Sequence, residues 1–172
     1  MSMSTETAKA SVLVRGPGEG PATWALGSLF ERLASHDETA GAFGMSLVTQ
    51  PAGTATPLHI HTEEDEAFYV LDGNMTYSAD GQIYRLSTGS FIFLPRGLPH
   101  GFRVTGSDPV RFLAVVLPGA LMNLYDEVGR PADQHHLPQP DQQLLAADVQ
   151  RWLEASPRYG LRIVGPPIAA DA

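Results

Sequence analysis

The chain contains no cysteine. Disulfides and thiolate ligands are therefore excluded, and any metal must be held by imidazole, carboxylate or water. Clustered positive charge is also missing: 11 Lys and Arg stand against 19 Asp and Glu, for a formal net charge of −8. Phosphate backbones and anionic membrane surfaces are bound by clustered Lys and Arg, so neither nucleic acid nor a membrane is expected as a partner. No apolar run is long enough to span a bilayer, and residues 1–10 lack the apolar stretch of a signal peptide. A cytoplasmic location is the resulting expectation. Internal repeats, long low-complexity tracts and a helix-turn-helix are not found either.

What the sequence has in quantity is punctuation. Its 172 residues suit one domain, and 17 Gly with 14 Pro imply many turns joining short strands rather than long helices. Residues 1–22 read as a loose arm with one short strand over 12–14. Residues 23–120 read as eight to ten short strands, the spacing of an antiparallel β-sandwich or barrel. Within them Asp80-Gly81, between two β-prone runs, signals a hairpin. Residues 121–172 change texture. Leu121, Leu124, Tyr125 and Val128 recur at helical spacing, and a second helix is expected over 141–155 with Leu145, Val149, Trp152 and Leu153 on one face. A short extended segment follows over 161–164. The expected class is all-β, with one or two peripheral C-terminal helices packed on the barrel or over one mouth.

The chemistry concentrates in two segments. In the first, Gly53 precedes Leu58-His59-Ile60-His61, a four-residue connection, Glu66 and then Gly73. Residues two apart on a strand share a face, so His59 and His61 project together and can chelate one ion. Glu66 opens the next strand and returns a carboxylate to the same side. In the second segment, Gly89 leads through an apolar strand to Pro95-Arg96-Gly97 and His100, which delivers a third imidazole. Three imidazoles and one carboxylate suit a divalent transition metal (Fe, Mn, Ni, Co, Cu or Zn) and leave coordination positions open. From the chain's own composition, H-x-H-x4-E arises by chance in about one chain of this size in a hundred, and the flanking glycines lower that by roughly another hundredfold.

These residues resemble the two cupin motifs, G-x5-H-x-H-x4-E-x6-G and G-x5-P-x-G-x2-H, with a fifteen-residue spacer between Gly73 and Gly89. The usual final Asn of the second motif falls at Val104. The resemblance implies a jelly-roll-type antiparallel β-barrel, a cupin, with one metal inside one mouth. More loosely, residues 26–167 resemble single-domain cupins related to bacterial quercetin 2,3-dioxygenase. That likeness implies a metal-dependent dioxygenase-type oxidoreductase acting on an enol-bearing, aromatic small molecule with dioxygen, in which Glu66 is both ligand and catalytic base. The same ligands also serve a metal-dependent isomerase, cyclase or lyase, or a non-catalytic small-molecule binder. Cupins of this size are similar to proteins that pair as homodimers through barrel edges.

Other residues have plainer readings. Glu63, Glu64 and Asp65 form a solvated acidic turn unless the register shifts and one of them replaces Glu66 as ligand. His135 and His136 are adjacent loop residues whose side chains diverge, and His36 lies in a polar turn. Phe68 shares a strand face with Glu66, and Phe102 with His100, so both are candidates for a substrate pocket. Phe91, Phe93 and Phe112 are expected in the core. Met122 and Tyr125 lie on the first helix, as pocket lid or as packing against the barrel wall, and Trp152 is expected in the core.

Overall fold

The computed structural model describes residues 11–139, 144 and 146–170. The beginning of the arm and most of the expected start of the second helix, Leu145 included, lie outside the described residues. Ten strands run to residue 117: β1 (Ala22–Ala25), β2 (Ser28–Ala34), β3 (Gly44–Gln50), β4 (Pro57–His61), β5 (Asp65–Asp72), β6 (Asn74–Ala79), β7 (Gln82–Ser87), β8 (Phe91–Leu94), β9 (His100–Thr105) and β10 (Val110–Leu117). Then follow a 3-10 turn over Gly119–Leu121, α1 (Met122–Val128), β11 (Arg130–Pro131), α2 (Ala146–Ala155), a 3-10 turn over Ser156–Tyr159, and β12 (Leu161–Pro167).

The strands form two antiparallel sheets, ordered β11-β1-β2-β3-β10-β5-β8 and β12-β4-β9-β6-β7. Strict alternation sets the inner face. Along β3 and β10 every second residue is buried, so Val48, Phe112 and Ala114 turn inward while Leu47, Leu113 and Val115 stay half-exposed. Between the sheets, Phe68 lies 5.7 Å from Tyr77, and Phe102 meets Phe112 edge-on with ring centroids 6.3 Å apart. Asp80 and Gly81 both take positive φ, 49° and 72°, the conformation a two-residue turn between β6 and β7 requires.

Two expectations are corrected. Val12 and Val14 form no strand and are 92% and 82% exposed. Phe91 and Phe93 are not core residues. They are 63% and 52% exposed, because β8 turns Ile92 and Leu94 inward and leaves Phe91 and Phe93 on the outer face beside the exposed Tyr69 of β5. The extended segment expected over 161–164 is present as β12, which runs on to Pro167. It pairs along β4, placing the fully buried Leu161 opposite His61 and covering the edge that carries the histidines. Leu161→Ala should therefore destabilise the fold by about 2–5 kcal/mol in urea unfolding, the usual cost of emptying a packed aliphatic site.

The helices are tied closely to the sheets. Arg32 on β2 donates to the Met122 carbonyl and to Asp126, each at 2.8 Å, which fixes α1. The turn leading into α1 passes so near β3 that a Cβ on Gly119 would lie 2.2 Å from the Gly44 nitrogen. Trp152 of α2 is buried, and Val149 and Leu153 border the same interior space.

Candidate metal centre

Four side chains from three strands and both sheets converge. His59 and His61 stand one pleat apart on β4, and His100, first residue of β9, pairs directly with His59 across the strands. Glu66 comes from the facing sheet, where β5 sets it beside Val116 and Leu94. All four are buried, and one candidate ligand atom from each lies within 4.8 Å of the others. The His59 and His100 ring centroids are 4.5 Å apart, and those of His61 and His100 are 5.2 Å apart.

The surroundings leave the set ready for a cation. His59 Nδ1 lies 2.8 Å from the Pro57 carbonyl and His100 Nδ1 2.9 Å from that of Leu98, so both rings hold their proton on Nδ1 and keep Nε2 as the donor atom. His100 Nε2 is 3.3 Å from Glu66 Oε2. His61 Nε2 is 3.3 Å from the same oxygen without hydrogen-bonding alignment, and neither ring nitrogen of this buried residue has a hydrogen-bond partner. Orphaned buried nitrogens are rare because they carry an unmet desolvation cost. A divalent cation answers it, and the donor set fits one.

Charge follows from the same packing. Burial, with the neighbouring imidazoles, lowers His59 to about 4, so it is neutral at ordinary pH. Burial also opposes charge on His61, but the Glu66 carboxylate outweighs it and the net shift is upward. In Glu66, burial pushes the carboxyl up while His61 and His100 pull it further down, well below the usual carboxylate range.

The acidic turn departs from expectation at one residue. Glu63 is exposed, and Asp65 is bound by Arg96 with N–O distances of 2.9–3.1 Å. Glu64 is 2% exposed, and its Oε2 has no partner. Burial raises Glu64 to about 7, against the opposing pull of His61. The fold thus binds this proton more tightly than the unfolded chain does. The resulting stability is present in full below about pH 4.5 and is lost as pH rises through about 7. In metal-free protein, Glu64→Gln should match the parent near pH 4.5 and exceed it by about 1–3 kcal/mol at pH 8 in urea unfolding.

Three of the four, His59, Glu66 and His100, line a cavity of about 750 Å³. Its wall includes all four aromatic and helical pocket candidates, Phe68, Phe102, Met122 and Tyr125, and Tyr125 stacks on Phe30 at 4.2 Å. Arg103 is the one Lys or Arg among the described lining residues, and its guanidinium is already donating to the carbonyls of Ile168 and Gly53. His135 and His136 lie elsewhere: His135 is 2.8 Å from Glu31, and His136 contacts Gln134. The sequence reading missed Ser28 and Gln50, polar residues of the same wall. Their one signal was position, two residues beyond Phe30 and Val48 on inward-facing strand faces.

Residues 46–116, which contain all four clustered residues, match the cupin domain family. The chain carries a cupin domain. This cupin is 31% identical over 124 residues to quercetin 2,3-dioxygenase from Bacillus subtilis, covering 72% of the chain and 36% of that enzyme. It is 31% identical over 67 residues to an oxalate-binding protein from Thermotoga maritima, covering 39% of the chain and 55% of that protein. The matches thus span only about a third to a half of these relatives' lengths. Among solved structures, a predicted oxalate decarboxylase from Thermotoga maritima superposes with a TM-score of 0.56 at 23% identity, over 62% of this chain and 99% of that one. That likeness shows the fold. Among the described residues, no helix is long and apolar enough to cross a membrane.

Proposed function

We propose that this cupin is a metal-dependent dioxygenase-type oxidoreductase acting on an enol-bearing aromatic small molecule. The observation that carries the reading is the three-histidine, one-glutamate cluster opening through His59, Glu66 and His100 onto an apolar, aromatic-walled cavity with no uncommitted guanidinium or ammonium among its described lining residues. A wall of that kind favours a neutral, flat ligand over a small dianion such as oxalate, whose charges need unpaired cations. The partial identity to the Bacillus dioxygenase supports the same substrate class.

A bound divalent cation supplies Lewis acidity toward the enol oxygen and coordination positions for dioxygen. The chain's own residues do the rest. Phe68 and Phe102 flank the substrate ring and exclude water. Glu66 takes the enol proton. Its low proton affinity depends on the protons and charge of His61 and His100. A carboxylate freed from, or weakly bound to, the cation accepts a proton at neutral pH.

Quercetin incubated with metal-loaded protein, in air and under nitrogen, tests the proposal. Flavonol loss coupled to oxygen uptake is expected in air, with none under nitrogen. Equal product in both would replace the reading with an isomerase, cyclase or lyase. Tight binding without any product would replace it with a binding module.

A further inference from the structure

Ser28 and Gln50 are both more than nine-tenths buried, both line the cavity, and Ser28 Oγ and Gln50 Oε1 have no hydrogen-bond partner among the described residues. Burying such groups unpaired costs roughly 1–3 kcal/mol each, so an apolar wall does not place them there for stability. Their position is defined by register. Gly44, Val116 and Glu66 lie in one cross-strand row. Gln50 is six residues further along β3, about 20 Å of strand from that row. Leu29 pairs with Thr49 and Phe30 with Val48, which brings Ser28 alongside Gln50 on the neighbouring strand. Phe30, Val48 and Phe112 fill the wall between this polar pair and the metal cluster.

We propose that Ser28 and Gln50 form a distal subsite that holds the far polar end of an elongated, uncharged, polyoxygenated aromatic ligand whose near end lies at His59, His61, Glu66 and His100. The inference rests on the enol-substrate reading above and adds a length and a second polar end to it. Gln50 Oε1 accepts a hydrogen bond from a ligand hydroxyl, and Ser28 Oγ donates to or accepts from its neighbour. With no free guanidinium or ammonium among the described lining residues, the group bound there is a hydroxyl or carbonyl and not a carboxylate or phosphate.

Binding is readable without turnover. The chain has two tryptophans, and Trp152 lines the cavity whereas Trp24 donates to the His136 carbonyl outside it. In a Trp24→Phe background, quenching of Trp152 reports occupancy. The probes are quercetin and 3-hydroxyflavone, which share the enol–ketone edge and differ in hydroxyls on the outer rings. The parent should bind quercetin about tenfold or more tightly than 3-hydroxyflavone, the value of one well-made hydrogen bond to a buried group. Gln50→Leu and Ser28→Ala should each erase most of that preference by weakening quercetin alone. Gln50→Leu should melt no lower than the parent, because an unpaired buried carbonyl oxygen is removed, so a loss of binding is not a loss of fold. An unchanged preference in both variants would overturn the distal subsite and leave the enol reading standing. Failure of the parent to bind either flavonol would overturn the enol reading, and the subsite with it.

Discussion

A His100→Ala variant loses the cation: its affinity for Zn²⁺ or Ni²⁺ falls at least a hundredfold, about 2.7 kcal/mol or more. The reason is geometric. His100 faces His59 directly across β4 and β9, its ring is pre-set by the Leu98 carbonyl, and its Nε2 lies 3.3 Å from the Glu66 carboxylate. Removing it leaves two imidazoles on one strand and a carboxylate from the other sheet, with nothing to close the set. The effect is measurable through stability. Cation at a hundred times its dissociation constant stabilises the native parent by about 2.7 kcal/mol, a rise in Tm of roughly 5–10 °C for a domain of this size. At the same cation concentration the variant should shift by about 2 °C or less. A full shift in the variant would mean that the cation binds elsewhere.

The second large effect is on turnover. Glu66→Gln keeps the shape of the buried side chain and removes its charge and its ability to accept a proton. Under saturating cation the three histidines should still hold one equivalent, while flavonol turnover drops by about 10²- to 10⁴-fold, the range for loss of a general base. Metal content and rate must be measured on the same sample. Full metal content with undiminished turnover would remove Glu66 from the chemistry and leave it a ligand only. Equal loss of metal and rate would be read at higher cation concentration, where a base role and a ligand role separate.

The centre of this protein is written locally, and its periphery is not. His59 and His61 are two apart, so a strand there puts them on one face whatever surrounds it, and the connection over 62–64 is long enough for β5 to begin at Asp65. The local pattern does not reveal that β5 belongs to the opposite sheet, so that Glu66 meets the histidines across the interior. Glu64 shows the same limit. Its neighbours Glu63 and Asp65 are solvated or paired, and only the turn's packing buries the middle carboxylate. Alternation shows which residues share a face, not whether that face is covered. Phe91 and Phe93 alternate like core residues but fall on the outer face that they share with the exposed Tyr69. The β12–β4 pairing joins residues a hundred positions apart, which no local pattern encodes.

The most direct test is a crystal soaked in Zn²⁺ and measured at the zinc absorption edge. One anomalous peak is expected, with His59, His61 and His100 nitrogens at about 2.0–2.1 Å and a Glu66 oxygen at about 2.0–2.2 Å. A peak at His135–His136 or on the surface, with the four buried groups bound only to water, would contradict it.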